Sequence, residues 1–139
     1  MENCYNEPTM VRLDRKADSR GNLSFMEEGV PLPFAMKRVY WVNDVPGGRG
    51  RYGRALRSQW EVMVALAGSF RLNTVTATGE KCFMLSSPDV AVILPPMTWR
   101  TMTDFATNTA VLVIASADFD ENDYIRDRKT FNTIMYGRE

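Results

Sequence analysis

The dominant pattern along this chain is an alternation of apolar and polar positions with a period of two, in short segments. Such alternation predicts half-buried β-strands rather than amphipathic helices. Glycine, proline, serine, asparagine and aspartate stand between the segments and predict turns there. The predicted strands are residues 22–27, 37–43, 60–66, 69–75, 81–85, 90–94, 99–105 and 110–116.

Short strands at close spacing, without helices between them, predict an all-β sandwich or closed barrel. Ala67 and Gly68 lie between two adjacent strands and predict a hairpin turn. Only the C-terminal end has a helical pattern, in which Asp120 caps a turn through Arg126 and residues 130–135 form another. Residues 47–57, rich in glycine and arginine, fit a solvated loop as well as a functional segment.

Length and charge narrow the class of protein. A chain of 139 residues predicts one domain, residues 1–139. Lysine plus arginine and aspartate plus glutamate both number 17, which disfavours nucleic-acid or membrane partners that are recognised through net charge. Two cysteines cannot form a disulfide framework, and no apolar run suits a signal peptide or a membrane span. These features predict a cytoplasmic protein.

The chain contains no histidine. Histidine is the usual general base near neutral pH and the commonest metal ligand in proteins. In this protein both roles must therefore belong to other residue types or be vacant.

Two spaced sets of residues resemble the two motifs of cupin jelly rolls. The first set is Gly48, Arg54, Leu56, Glu61 and Gly68, with arginine and leucine where cupins have histidines; the second is Asp89, Pro95-Pro96-Met97, Arg100 and Asp104. The resemblance implies an all-β fold of the cupin type, a double-sheet jelly roll with a short C-terminal helical segment.

The usual metal-ligand positions of that motif are occupied by Arg54, Leu56, Glu61 and Arg100. A guanidinium group is always cationic and has no acceptor, and leucine has no lone pair to donate. Glu61 by itself cannot hold a transition-metal ion. We therefore expect neither a metal nor a cofactor.

Several segments resemble a more specific family. DSRGNL at 18–23, PFAMKRVY at 33–40 and DYIR at 123–126 are similar to the dTDP-4-keto-6-deoxyglucose 3,4-ketoisomerases, and the similarity extends over residues 11–131. The resemblance implies a homodimer that binds a nucleoside-diphosphate sugar (a thymidine diphosphate sugar) and interconverts its 3-keto and 4-keto forms. Such enzymes contribute to deoxysugar and surface-polysaccharide biosynthesis.

The departure from the family lies in its Arg-Gly-x-His-Ala-His-Lys motif, which corresponds to residues 51–57. Arg54 and Leu56 replace the two histidines, although an insertion would place Tyr52 and Arg54 there instead. The resemblance still implies a group of substrate-binding residues, namely Arg38, Tyr40, Arg51, Arg54, Trp99 and Arg100. Trp99 also fits a core position, and a stacking surface for a sugar or thymine fits it nearly as well.

A ketoisomerase must move a proton between carbons next to a carbonyl, which requires a base. Glu61 and Tyr52 are the catalytic candidates, with Tyr40 and Asp104 as further possible proton carriers. Neighbouring guanidinium groups would weaken Glu61 as a base, but they would stabilise an enediolate oxyanion. The simplest alternative is that Glu61 forms a structural ion pair with Arg54 or Arg100.

Three functions remain open at this point. The chain is a nucleotide-sugar-binding homologue of the 3,4-ketoisomerases, a non-catalytic relative that binds the same ligands or pairs with an active paralogue, or an isomerase or epimerase of another activated sugar. The ketoisomerase homologue and the non-catalytic relative differ in whether the chain catalyses a reaction. The absence of histidine bears on this choice, because histidine is the usual base.

Overall fold

The computed structural model describes residues 5–29 and 31–137, except for the side chain of Tyr52. The fold is mostly β, with one short α-helix near the C-terminus, as predicted. The strands are β1 (Thr9–Arg12), β2 (Asp14–Asp18), β3 (Gly21–Phe25), β4 (Glu27–Glu28), β5 (Pro31–Leu32), β6 (Arg38–Asn43), β7 (Arg51–Leu56), β8 (Glu61–Ala67), β9 (Phe70–Thr76), β10 (Gly79–Leu85), β11 (Val90–Leu94), β12 (Trp99–Thr103), β13 (Ala110–Ala115) and β14 (Tyr124–Ile125). A 3-10 helix, Glu121–Asp123, precedes β14, and the α-helix α1 (Arg128–Tyr136) follows it.

Two five-stranded antiparallel sheets carry the fold. The first sheet has the order β1-β11-β8-β13-β6, and the second has the order β10-β9-β12-β7-β14. Two short ribbons, β2-β3 and β4-β5, complete the N-terminal part. All eight predicted strands are present, with ends within two residues of the predicted ones.

The hairpin predicted at Ala67 and Gly68 is wrong. β8 pairs with β11 and β13 in the first sheet, whereas β9 pairs with β10 and β12 in the second, so the turn carries the chain between sheets. Gly68 has a φ of +71°, and a Cβ there would lie 2.7 Å from the Cα of Thr109. The glycine is therefore required for a tight crossing rather than for a two-strand turn.

The solvated-loop alternative is wrong for Arg51–Leu56, which forms β7 and pairs with β12. Ala55 and Leu56 are fully buried, because the second half of this strand packs inside the fold.

The C-terminal prediction is correct only in part. Asp120 caps a helical turn, but that turn ends at Asp123, and the next two residues pair with β7 as β14.

The described residues form three apolar clusters. The largest cluster draws side chains from β8 to β13 and so lies between the two sheets. A second cluster packs the N-terminal segment on the first sheet, and a third packs α1 on β7 and β12. In β6, Arg38, Tyr40 and Val42 are half-buried while the residues between them are exposed, so this strand directs an arginine and a tyrosine inward.

Candidate functional site

The centre of the site is a buried carboxylate. Glu61 is the first residue of β8 and is fully buried. Arg100 in β12, also fully buried, donates from Nη1 to Oε1 of Glu61 across 2.6 Å. The two sheets thus meet here through an ion pair instead of apolar packing.

Tyr40 and Arg54 close around the same carboxylate. The Tyr40 hydroxyl donates to Oε2 of Glu61 across 2.7 Å and accepts from Nη2 of Arg54 across 2.7 Å. The same Nη2 atom lies 3.7 Å from Oε1 of Glu61. Tyr40 therefore bridges a guanidinium group and a carboxylate, and both oxygens of Glu61 accept a hydrogen bond.

Arg38 is the third guanidinium group at this carboxylate, with Nη2 at 3.9 Å from Oε2 of Glu61. The same Nη2 donates to Oε1 of Gln59 across 3.1 Å and to the Tyr124 hydroxyl across 3.3 Å. Its guanidinium carbon lies 5.1 Å from the centre of the Tyr40 ring. These contacts hold Arg38 in one orientation.

We call Arg38, Tyr40, Arg54, Glu61 and Arg100 the luminal cluster. It holds three guanidinium groups and one carboxylate, which leaves an excess of positive charge inside the fold. Nη2 of Arg100 is buried and is the one buried side-chain polar atom in the described part of the chain without a hydrogen-bond partner. Such an excess disfavours a cation and favours an anion nearby.

The pKa directions follow from the same contacts. Burial raises the pKa of Tyr40, and the charge of Glu61 adds to this effect. Burial also lowers the pKa of Arg100, against the opposing effect of Glu61. For Arg54, burial acts to lower the pKa, but Tyr40 and Glu61 outweigh it and the pKa is raised. Tyr40 is therefore neutral near pH 7, and it donates its proton to the carboxylate as a hydrogen bond.

Two adjoining cavities open beside the cluster. The first, of about 380 Å³, is lined by Gly50, Arg51, Gly53, Arg54 and Arg126, and we call it the arginine cavity. The second, of about 560 Å³, shares Gly50, Arg51 and Gly53 with it, and we call it the outer cavity. Through Arg54, the arginine cavity reaches the edge of the luminal cluster.

A buried carboxylate fixes the turn that carries Gln59. Asp123 accepts hydrogen bonds from the backbone N–H of Ser58 (3.0 Å), from its hydroxyl (2.7 Å) and from the backbone N–H of Gln59 (3.2 Å). The Gln59 side chain then donates to the carbonyl of Asp118 and accepts from Arg38. Asp123 and Gln59 thus orient Arg38 without touching Glu61.

The structure brings together most of the predicted substrate-binding residues. Arg38, Tyr40, Arg54 and Arg100 surround the catalytic candidate Glu61, as the ion-pair alternative for Arg54 and Arg100 also expected. Arg51 is exposed and lines both cavities. The side chain of the other catalytic candidate, Tyr52, lies outside the described residues.

Trp99 is not brought to this cluster. It precedes Arg100 in β12, and consecutive strand residues point to opposite faces of a sheet. Trp99 is 7% exposed and packs against Phe131 of α1, with ring centres 5.6 Å apart. Of the two alternatives for Trp99, these contacts favour core packing.

Sequence reasoning missed Gln59, Tyr124 and Arg126, and it gave Asp123 no role at the site. Asp123, Tyr124 and Arg126 belong to the DYIR segment, which was noted only as part of a resemblance. The one available signal in the sequence was an acid directly before an aromatic residue, Asp123-Tyr124, near the C-terminus. For Gln59 there was none, because its partners are distant in the chain.

Two kinds of feature are absent from the part of the chain that the structure describes. No group of three or more cysteine, aspartate or glutamate residues there is arranged to hold a metal ion. No helix in the same residues combines the length and hydropathy that a membrane crossing requires.

Comparison with known proteins identifies the family. The family described as "FdtA: WxcM-like, C-terminal" matches residues 6–136. The TDP-4-oxo-6-deoxy-alpha-D-glucose-3,4-oxoisomerase of Aneurinibacillus thermoaerophilus is 34% identical over 129 residues, which are 93% of each chain.

Solved structures agree with this result. A mutant of the 3,4-ketoisomerase QdtA from Thermoanaerobacterium thermosaccharolyticum, in complex with TDP-4-keto-6-deoxyglucose, is 29% identical with a TM-score of 0.90, over 96% of this chain and 97% of that one. The WlaRB TDP-quinovose 3,4-ketoisomerase of Campylobacter jejuni is 27% identical with a TM-score of 0.86, over 91% and 98%. This chain therefore belongs to the FdtA (WxcM-like, C-terminal) family and is a homologue of the dTDP-sugar 3,4-ketoisomerases.

Proposed function

We propose that this protein binds a nucleoside-diphosphate sugar of the dTDP-deoxyhexose class, and that the arginine cavity takes its diphosphate. The observation that carries the proposal is the lining of that cavity by three guanidinium groups, those of Arg51, Arg54 and Arg126. No carboxylate is among its described lining residues. Guanidinium groups bind phosphate oxygens through paired, charge-assisted hydrogen bonds.

The excess positive charge of the luminal cluster supports the same proposal. Arg54 belongs to both the cluster and the arginine cavity, so an anion in the cavity lies next to the guanidinium groups around Glu61. The negative charge of a ligand in the cavity offsets the cost of keeping these guanidinium groups partly desolvated. The relatives include a ketoisomerase solved with TDP-4-keto-6-deoxyglucose, which is a ligand of this chemical class.

The test is thermal unfolding with TDP, with thymidine and without ligand. A ligand that binds only the folded state stabilises it by about 2.7 kcal/mol at a hundredfold excess over its Kd. We expect TDP to raise Tm and thymidine to raise it far less. Arg51→Met should weaken the TDP effect, whereas Arg15→Met, at an exposed arginine outside the cavity lining, should not. Equal shifts with TDP and thymidine would contradict the proposal.

Isomerase activity is the second candidate. The Tyr40 hydroxyl lies at the catalytic candidate Glu61: it donates to the carboxylate across 2.7 Å and accepts from Arg54 across 2.7 Å. Catalysis would need Glu61 or Tyr52 to take a proton from the carbon next to the sugar carbonyl and return one to the neighbouring carbon. Both Glu61 oxygens already accept hydrogen bonds, which favours binding without turnover.

Solvent deuterium exchange into TDP-4-keto-6-deoxyglucose separates these functions. Exchange that is lost in Glu61→Gln or Tyr52→Phe would support the isomerase. Binding without exchange would support a non-catalytic relative, or the partner of an active paralogue. Exchange into a different activated sugar alone would identify an isomerase or epimerase of that sugar.

We further propose that residues 1–139 form one cupin-type jelly roll. The order β6-β13-β8-β11 in one sheet and β7-β12-β9-β10 in the other supports this, because consecutive strands from β6 to β13 alternate between the sheets, except at the β9–β10 hairpin, in the manner of two Greek keys. A homodimer fits the exposed apolar face of the edge strand β6, where Val39 is 51% and Trp41 is 67% exposed. Size-exclusion chromatography of Trp41→Ser tests that interface.

A cytoplasmic location agrees with the free, exposed Cys82.

A further inference from the structure

Arg126 reaches the arginine cavity from the C-terminal segment. Strand β14 pairs with β7 so that Ile125 stands opposite Ala55, which carries the next residue, Arg126, to the level of Arg54. Both guanidinium groups line the arginine cavity. Arg126 is exposed, and a long exposed side chain loses conformational entropy when a ligand fixes it. The contacts that hold Arg126 in the free protein therefore affect how tightly the cavity binds a ligand.

A carboxylate in the preceding 3-10 helix holds one edge of Arg126. Nε of Arg126 donates to Oε2 of Glu121 across 2.9 Å, and Nη2 donates to Oε1 across 3.0 Å. The paired hydrogen bonds fix the plane of the guanidinium group. They also lower the pKa of Glu121, so its carboxylate is ionised near pH 7. One edge of Arg126 is therefore fixed by a charged partner.

An aromatic ring supports one face of the same guanidinium group. The guanidinium carbon of Arg126 lies 4.6 Å from the centre of the Tyr124 ring. Tyr124 and Arg126 flank the buried Ile125, so strand alternation places their side chains on the same side of the chain. The Tyr124 hydroxyl is itself oriented, because it accepts from Nη2 of Arg38 across 3.3 Å. Arg126 is thus held along one edge and against one face.

The donors that remain on Arg126 suit a phosphate. A guanidinium group has five N–H bonds, and Glu121 accepts from two of them. Both N–H bonds of Nη1 and one of Nη2 remain, and a pair of neighbouring N–H bonds can bind two phosphate oxygens together. The ion pair with Glu121 therefore leaves the end of the guanidinium group available to a ligand.

We propose that Glu121 and Tyr124 are positioning residues, which hold Arg126 in the orientation that binds the diphosphate. The inference rests on the proposed function and deepens it, because it names the residues that prepare one guanidinium group of the arginine cavity. Neither residue is among the described lining of that cavity, so both act through Arg126. An exposed ion pair adds little to the stability of a fold, so we expect the loss of Glu121 to change ligand binding rather than unfolding.

The direction of the change in affinity distinguishes positioning from competition. If Glu121 repels the ligand or competes with the phosphate for Arg126, removal of its charge strengthens binding. If Glu121 positions Arg126, the same removal weakens binding, because the ligand must then order a long side chain that the free protein no longer holds.

Isothermal titration of the full chain with TDP measures this change. We expect Glu121→Gln to weaken TDP binding about two- to tenfold, the affinity equivalent of ordering one long side chain. The loss should disappear in an Arg126→Met background, where no guanidinium group is left to position, whereas a general structural effect would persist there. Asp120→Asn is the matched control, because it removes the adjacent negative charge and keeps a residue that caps the 3-10 helix. This control should not weaken TDP binding.

Two variants of Tyr124 test the contribution of its ring. Tyr124→Phe keeps the ring against Arg126 and loses the hydroxyl, whereas Tyr124→Leu loses both. We expect Tyr124→Leu to weaken TDP binding more than Tyr124→Phe does. Equal affinities of these two variants would overturn the role of the ring.

Two results would overturn the role of Glu121. One is an unchanged or increased TDP affinity in Glu121→Gln. The other is a loss of affinity that is equally large in the wild-type and Arg126→Met backgrounds. If TDP does not bind the wild-type protein, or if Arg126→Met binds it as tightly as wild type, the proposed function fails instead, so the two failures are distinguishable.

Discussion

Nη1 of Arg100 lies 2.6 Å from Oε1 of Glu61, and neither side chain has any exposed surface. A buried ion pair joins β12 of one sheet to β8 of the other. Two charges in such a place depend on each other, because each is desolvated and neither can reach water. This pair therefore gives each of the two buried charges its counter-charge.

Removal of the carboxylate is the most direct test of this dependence. Glu61→Gln leaves Arg100 buried without a counter-charge, and we expect a loss of about 3–5 kcal/mol in the free energy of unfolding. Urea unfolding followed by circular dichroism measures the loss. Glu121→Gln, which breaks the exposed pair with Arg126, should leave the midpoint nearly unchanged. Equal midpoints for wild type and Glu61→Gln would show that the pair contributes nothing.

The raised pKa of the Tyr40 phenol predicts how the stability of the fold changes at alkaline pH. Its pKa is raised in the folded protein by burial and by Glu61, so the folded state keeps a proton that the unfolded state loses from about pH 10 upwards. The unfolded state then binds fewer protons, and stability falls as pH rises. The contribution of Tyr40 is fully present below pH 10.

Urea midpoints measured between about pH 8 and 11 test this sign, in wild type and in Tyr40→Phe. The variant should be less stable at pH 8, because it lacks the hydrogen bonds to Glu61 and Arg54, and its alkaline decline should be shallower. Parallel declines in the two proteins would mean that Tyr40 titrates alike in both states.

The close contact between Gly53 and Trp99 predicts that a side chain at position 53 destabilises the fold. In Gly53→Ala the new methyl carbon would lie 2.4 Å from the Trp99 ring, so the strand or the ring must move. We expect a loss of about 1–3 kcal/mol, the usual cost of overpacking. Gly47→Ala is the matched control, because a Cβ at Gly47 meets nothing within 4 Å. Comparable midpoints for the two variants in urea would contradict the close contact.

Asp123 does not contact Glu61, but we expect its removal to weaken ligand binding. Asp123→Ala frees the N–H and hydroxyl of the exposed Ser58 and the N–H of the buried Gln59, and the Gln59 donor left unpaired costs about 1–3 kcal/mol. Gln59 then no longer orients Arg38, and TDP affinity should fall. Asp120→Ala, which removes only the cap of the 3-10 helix, serves as the control. Unchanged TDP affinity in a folded Asp123→Ala would refute the positioning role.

Much of the fold was predictable because strand alternation is a local property. Period-two spacing puts Arg38 and Tyr40 on one face of a strand, and β6 has that arrangement. The same rule, applied to Trp99 and Arg100, would have separated them, yet the resemblance had grouped both as substrate-binding residues. The alternation was the better guide there.

Other features were not predictable from local patterns. The Ala67–Gly68 turn has hairpin residues but connects two sheets, since the partners of β8 and β9 are set by distant strands. Gln59 gained its role from Asp118, Asp123 and Arg38, which are far from it in the chain. Such contacts carry no signal in a single sequence.

The sequence by itself determined the residue types available for chemistry: no histidine, and arginine, leucine and glutamate at the motif positions. It also determined the strands, because backbone sterics and side-chain alternation act over a few residues. Only the tertiary structure decided that three guanidinium groups surround one carboxylate in the interior and that the open cavities lie beside it, at β7. The reason is that strand pairing brings together residues from β6, β7, β8 and β12, and the balance of buried charge depends on all of them at once.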